Sequence, residues 1–471
     1  MTSKRLVGVT VLPEYLQSES INAVLDRLQG AGVNAVTTSP YLMEEADEKT
    51  GSREPPADAG AGGVRLLDRP LWGKRELYVR TAPSFIPDQR LYEGLRYRPP
   101  PPTDLTRKHG LLLPEFIGEA QKRGMKVYLQ VQAAIPPGYR VQFGGPQEAD
   151  QPLLPDGRIA PKRLAKNGSI ASAHIREYAH SLIRDLCRNY PSLNGLRFDW
   201  PEYPPYFLDS VFLDFGPHAH REARRLGFDF EVMRRDALAL YRKLHGGLED
   251  ADLQTWIEPD GGRSVLLRLV SDYPGITEWI RFKARLVEEL LVGFRESMDS
   301  AGGHEMELVP NAFPPPWSIA SGMDYERAAR HCSAISVKLY TMHWPMILRF
   351  YGDALMQANP GLSKPLLTRV LVNWLDIADD EGLPGLDDYR YPAPDESHPV
   401  GAAAQRRKIA EAQRETGTVP VYPLAHGYGP VEDFRRRLKI AAEVGAHGFW
   451  VNRYGYLSDE KLKVLGEVAH S

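Results

Sequence analysis

Short apolar runs alternate with longer amphipathic ones along this chain, and the two periods predict strands and helices in turn. The first strand is "RLVGVTVLP" (5–13), followed by a helix over 20–30 that Gly30 and Gly32 end. The second strand is "VNAVTTSP" (33–40). A helix over 111–123 leads to the third, "MKVYLQVQ" (125–132), and a helix over 172–189 leads to the fourth (193–200). The long amphipathic stretch 277–300 precedes the fifth strand, "HEMELVP" (304–310). A short helix from Asp324 precedes the sixth, "SAISVKLY" (333–340). "VPVYPLAHG" (419–427) and "GFWVNRYG" (448–455) are the seventh and eighth, and a helix over 458–469 closes the chain. "KPLLTRVLVNWL" (364–375) reads as a helix, because Ser363 and Pro365 make a helix start.

Eight strands, each followed by helical pattern, predict an α/β fold of the (β/α)8 TIM-barrel class. The rhythm breaks at about 41–110, 133–168, 201–276 and 346–417. These read as insertions into a single barrel domain spanning 1–471. The first is rich in Pro, Gly and charge, with a short β element near "ELYVRTA"; "LPDGR" marks a turn in the second.

Alternation along each strand sorts side chains into a set facing the helices and a set facing the barrel axis. The first set must be apolar. In the fourth strand Leu196, Phe198 and Trp200 fit it, so Arg197 and Asp199 point inward. In the fifth, Glu305 and Glu307 point inward; in the sixth, Ser336, Lys338 and Tyr340; in the third, Tyr128, Gln130 and Gln132. In the eighth, Asn452 shares a side with Trp450 and Tyr454. The inward set is far more polar than an inert core needs, since buried charge is costly unless paired. Most of it falls near the carboxyl ends of strands, where such barrels hold active sites. A structural network, Arg197 with Asp199 and Lys338 with Glu307, is the bland alternative.

Composition narrows the class. The 471 residues are 42% hydrophobic and 25% charged, as expected of a globular protein with a sizeable core. Net charge is −3 and no basic stripe occurs, so nucleic acid is not an expected partner. Cys187 and Cys332 are too few for a disulfide framework and read as small buried hydrophobes. No apolar run is long enough to span a membrane and no leader pattern opens the chain, so the expected address is cytoplasmic. Histidine spacing fits no metal site. "GAGG" (60–63) lacks the strand–helix context of a dinucleotide site, so neither metal nor cofactor is expected. Oligomeric state stays open.

The inward carboxylates suggest glycoside hydrolysis, which commonly uses two flanking one bond, roughly 5–5.5 Å apart for retention or roughly 6.5–9.5 Å for inversion. Asp199 is the candidate nucleophile or electrostatic stabiliser, kept charged by Arg197. The acid/base is Glu202, three residues on among aromatics and prolines that raise its pKa, or Glu307 on the next strand. Substrate hydroxyls and sugar faces would meet Arg197, Gln130, Lys338, Tyr340, His343, His426, Asn452 and Arg453, with Trp200, Tyr206, Trp344 and Tyr454 as stacking rings. Two rival readings stand beside this one. Lys338 could form a Schiff base with a carbonyl substrate, as in class I aldolases. Alternatively the barrel binds carbohydrate without cleaving it.

"NGLRFDW" (194–200) resembles the strand-four motif of the α-amylase superfamily, whose aspartate is the nucleophile. "FIGEAQKRGMKVYLQVQ" is similar to that superfamily's approach to strand three. The chain departs from the pattern where Gln130 and Gln132 replace the strand-three acid and where no His-Asp follows "VYPLAHG". "NGSIASAHIREYAHSLIRDLCRNYPSLNGLRFDWPEYPPY" (167–206) and "MDYERAARHCSAISVKLYTMHWP" (323–345) more closely resemble a group of bacterial glycoside-hydrolase-like barrels. That resemblance implies a sugar-directed hydrolase centred on Asp199, with Glu202 beside it.

Overall fold

A computed structural model describes residues 5–57, 65–257, 261–379 and 385–470. Among these residues eleven strands form. In chain order they are β1 (Leu6–Thr10), β2 (Ala35–Thr38), β3 (Tyr41–Ala46), β4 (Ser52–Glu54), β5 (Leu77–Pro83), β6 (Lys126–Gln132), β7 (Gly195–Asp199), β8 (Glu307–Ala312), β9 (Ile335–Leu339), β10 (Val421–His426) and β11 (Gly448–Asn452). Eight of them close a parallel barrel in the order β1-β11-β10-β9-β8-β7-β6-β2, the (β/α)8 architecture the alternation predicts. The other three make a small antiparallel sheet, β3-β5-β4, within the first insertion, and "ELYVRTA" lies on its central strand. The "GAGG" stretch falls outside the described residues.

The helices follow from local sequence. Ser172 caps Ala173–Asn189 by accepting from the Ile175 N–H, and the stripe Ile175, Tyr178, Leu182, Ile183 and Leu186 is buried, with Tyr178 packed on Tyr92 and Tyr97. Residues 364–375 are helical, as Pro365 implies. In the third insertion the helices Pro217–Leu226 and Phe230–Leu244 are parted by Gly227 in the left-handed region. Both cysteines are free and buried.

Apolar side chains fill two spaces. One lies between barrel and helices. The other is inside the barrel, where Leu6, Ala35, Tyr128, Val309, Tyr422, Leu424 and Trp450 plug the axis. Trp450 fits because Gly8 on the adjacent strand has no side chain: a Cβ there would lie 2.3 Å from the indole ring. Gly8→Ala must therefore displace the plug, and a loss of about 1–3 kcal/mol is expected from urea unfolding midpoints.

Candidate active site

The strand register decides what stands at the mouth. Asp199 ends β7 and is paired in register with Gln132 on β6 and Asn311 on β8. β8 begins only at Glu307, three residues later than its sequence pattern suggests, so Glu307 lies level with Gly195 at the opposite end of the barrel. There its carboxylate accepts from Tyr128 Oη at 2.8 Å and pairs with Lys126 Nζ at 2.6 Å. The parity predicted for Glu307 is right and its height is wrong. It closes the barrel floor, and the polar residue that β8 sends to the mouth beside Asp199 is Asn311.

Arg197 is fully buried one layer below Asp199. Its guanidinium lies 3.9 Å over the Trp450 ring, and Nη2 donates to Asn311 Oδ1 (2.8 Å) and Ser336 Oγ (3.0 Å). Burial pushes its pKa down to about 10, leaving it cationic at neutral pH. The expected partnership with Asp199 is not what forms: the cation on Asp199 is Lys338, whose Nζ lies 2.7 Å from Oδ1. Both are secluded, with side-chain exposures of 2% for Lys338 and 14% for Asp199. Nζ also lies about 5 Å from the rings of Trp200 and Phe313, at 5.1 and 5.0 Å.

Above this ion pair opens a cavity of about 450 Å³. Gln130, Asp199, Trp200, Tyr206 and Tyr340 line it on one side, and His343, His426, Asn452 and Arg453 carry the wall round to β11. Trp200 reaches it because its φ of 51° turns the chain off the strand and cancels the alternation that would send the indole outward. Burial, with Arg65 nearby, lowers the His426 pKa well below its usual value, so the ring is neutral. Tyr206 Oη lies 3.3 Å from His343 Nδ1.

Trp344 and Tyr454 are not in the wall. Trp344 is buried in the helix His343–Ala358, against Trp317 and beside Lys408. β11 ends at Asn452, so Tyr454 sits in a short turn facing outward, edge-on to Tyr15, with its hydroxyl on Glu19. Arg197 and Lys338 act from beneath the cavity, not from its lining.

Glu202 is fully buried behind the mouth. Oε1 accepts from the Phe313 N–H at 2.9 Å, and Oε2 has no hydrogen-bond partner among the described residues. Burial pushes its pKa up to about 8, against the pull of Lys338, so the acid is largely neutral at pH 7. Because the folded protein holds this proton more tightly than the unfolded chain, Glu202 contributes stability below about pH 4.5 that is lost as pH rises to about 8. Glu202→Gln removes this term. The fall in unfolding temperature between pH 5 and pH 8 is expected to be smaller in the variant by several degrees.

The opposite wall comes from residues that show no periodic signal. Arg53 and Arg65 belong to the first insertion, and Arg140 and Lys166 to the second. Arg140 pairs with Glu14 (3.0 Å) and Glu54 (2.8 Å), and Arg453 pairs with Glu54, all four being buried. Burial acts against charge on Glu54, but Arg140 and Arg453 together bring its pKa below the usual value; on Glu14 burial outweighs Arg140 and raises it. Among the described residues lining the cavity, Asp199 is the single carboxylate. The described residues hold no cluster of acidic, histidine and cysteine side chains suited to a metal ion, and no helix is long and apolar enough to cross a membrane.

No family model and no curated protein matches the sequence. Solved structures do match in fold. A β-galactosidase from the psychrophilic Marinomonas ef1 superposes with a TM-score of 0.51 at 12% identity, covering 99% of this chain and 59% of that one. A β-galactosidase from the Antarctic haloarchaeon Halorubrum lacusprofundi gives 0.53 at 11%, with coverage of 99% and 57%. This chain thus spans under two thirds of either. The shared feature is a barrel fold of the kind these glycoside hydrolases use, at a distance where fold alone is common.

Proposed function

We propose that the cavity is a carbohydrate site and that the protein hydrolyses an O-glycosidic bond within it. The observation that carries this is the Asp199–Lys338 pair, a carboxylate fixed by an ammonium at the floor of a secluded, aromatic-rimmed cavity at the carboxyl end of the barrel. Asp199 is the group that faces the anomeric carbon, as nucleophile or as stabiliser of an oxocarbenium-like transition state. Glu202 is the acid: burial keeps it protonated at neutral pH, and Oε2 is uncommitted. It stands behind the wall, so the segment 200–206, which starts at the strained Trp200, is the element that must present it when substrate seats. Trp200, Tyr206 and Tyr340 supply flat faces for sugar rings.

The single carboxylate in the wall favours a second reading, a barrel that binds sugar without cleaving it. One experiment separates the two. The full chain is incubated with a panel of oligosaccharides, and new reducing ends are read by mass spectrometry beside binding by calorimetry. Product formation supports hydrolysis; affinity with no product over days supports the binding barrel; neither result removes the carbohydrate reading. The Lys338 ion pair weighs against the Schiff-base alternative, since an ammonium held on a carboxylate is a poor nucleophile.

A further inference from the structure

We infer that the sugar this cavity takes carries an anionic group, a carboxylate or a sulfate ester, and that the group sits across the mouth from Asp199. The inference deepens the carbohydrate reading above and rests on it. Among the described residues, Arg53, Arg140, Lys166 and Arg453 present four cations to the cavity against one lining carboxylate, Asp199, which Lys338 already neutralises. The acids that balance Arg140 and Arg453, Glu14 and Glu54, stand behind the wall and do not line it. Arg53 is paired with Glu76, a residue also outside the lining. Lys166 is exposed at the rim with no ion pair among the described residues. Below the floor, Arg197 has only neutral partners, Asn311 and Ser336, and its Nε and Nη1 find no hydrogen-bond acceptor among the described residues.

Two physical arguments turn this arrangement into a ligand class. The charge not offset by a described acid is that of Lys166 at the rim and of Arg197 and Lys338, two cations around the single Asp199 at the floor; a concave wall of low dielectric concentrates that field, so the cavity attracts anions. Hydrogen-bond type agrees. A neutral sugar hydroxyl both donates and accepts, and suits a wall that mixes the two roles. Guanidinium and ammonium groups only donate, and a guanidinium fork matches two oxygens of a carboxylate or sulfate. Covering such donors with a neutral ring would strip their water without replacing it by comparable acceptors. The position follows from the barrel order. β11, which delivers Arg453, lies diametrically across from β7, which delivers Asp199. The anion is therefore recognised on the far side of the cavity from the proposed reacting carboxylate.

The test is calorimetry on the full chain with matched pairs of oligosaccharides. Oligogalacturonates and oligoalginates are set against their carboxyl-reduced forms, and sulfated tetrasaccharides against their desulfated forms. At low ionic strength the acidic member of one pair is expected to bind at least about tenfold more tightly, with the advantage shrinking as salt rises through about 0.15 M. Lys166→Glu, at an exposed site, should cut that advantage severalfold without moving the unfolding temperature. Whether the uronate or the sulfate pair shows the preference identifies the anion. Equal or tighter binding of the neutral members overturns the inference and leaves the carbohydrate reading standing. Preference for the acidic member with no product upholds the inference and removes hydrolysis. No binding by any member overturns both.

Discussion

Asp199→Asn is expected to lower sugar turnover by at least about a thousandfold, because a neutral amide can neither attack an anomeric carbon nor stabilise positive charge on it. The variant is also expected to lose stability, and the structure explains why. Lys338 is nearly inaccessible and its ammonium lies 2.7 Å from Asp199, so the substitution strands a buried charge. Breaking such a pair from one side costs about 3–5 kcal/mol, eased here by the Trp200 and Phe313 rings near Nζ. Loss of activity alone would therefore not separate chemistry from folding. Asp199→Asn combined with Lys338→Met does. Removing both charges should restore most of the unfolding temperature while turnover stays absent. Restored turnover in the double variant would show that the carboxylate serves the fold and not the reaction.

Arg140→Met should produce the largest loss of stability of any single change at the mouth, about 3–5 kcal/mol by urea unfolding. Arg140 sits between Glu14, just after β1, and Glu54, at the end of β4 in the first insertion. Glu54 in turn holds Arg453, just after β11. Removing this guanidinium leaves two buried carboxylates to share Arg453. The expected relief is specific: adding Glu14→Gln to Arg140→Met should recover part of the loss, since it removes one stranded charge, whereas an unrelated surface substitution should recover none. A cost below about 1 kcal/mol would mean that the four side chains do not form the paired cluster described. The cluster ties four loops of the mouth together, so its loss should also weaken any ligand bound above it.

How much of the site could be read beforehand differs strand by strand. On β7 alternation identified Arg197 and Asp199 as inward, since Leu196 and Phe198 can face only helices. On β9 it found Lys338 in the same way. Glu307 shows the limit: its inward parity was legible, but its height along the axis depends on where β8 begins to pair with β7, and several residues from His304 onward could have started that strand. Trp200 shows another limit, because a single positive φ redirects a side chain that periodicity assigns to the other face.

The sequence by itself determined the eight βα units, the aspartate at the end of the fourth barrel strand and the inward polar set except Glu305, which lies exposed in the turn before β8 because that strand starts only at Glu307. All of these follow from periods of two and 3.6 residues, which are local properties of a chain. Tertiary structure alone decided that Lys338, and not Arg197, meets Asp199, that Glu307 lies at the floor, and that Arg53, Arg65, Arg140 and Lys166 fold over the mouth. These outcomes depend on barrel stagger and on loops that cross between distant strands. Contacts between residues far apart in the chain fix them, and no repeating pattern along it does.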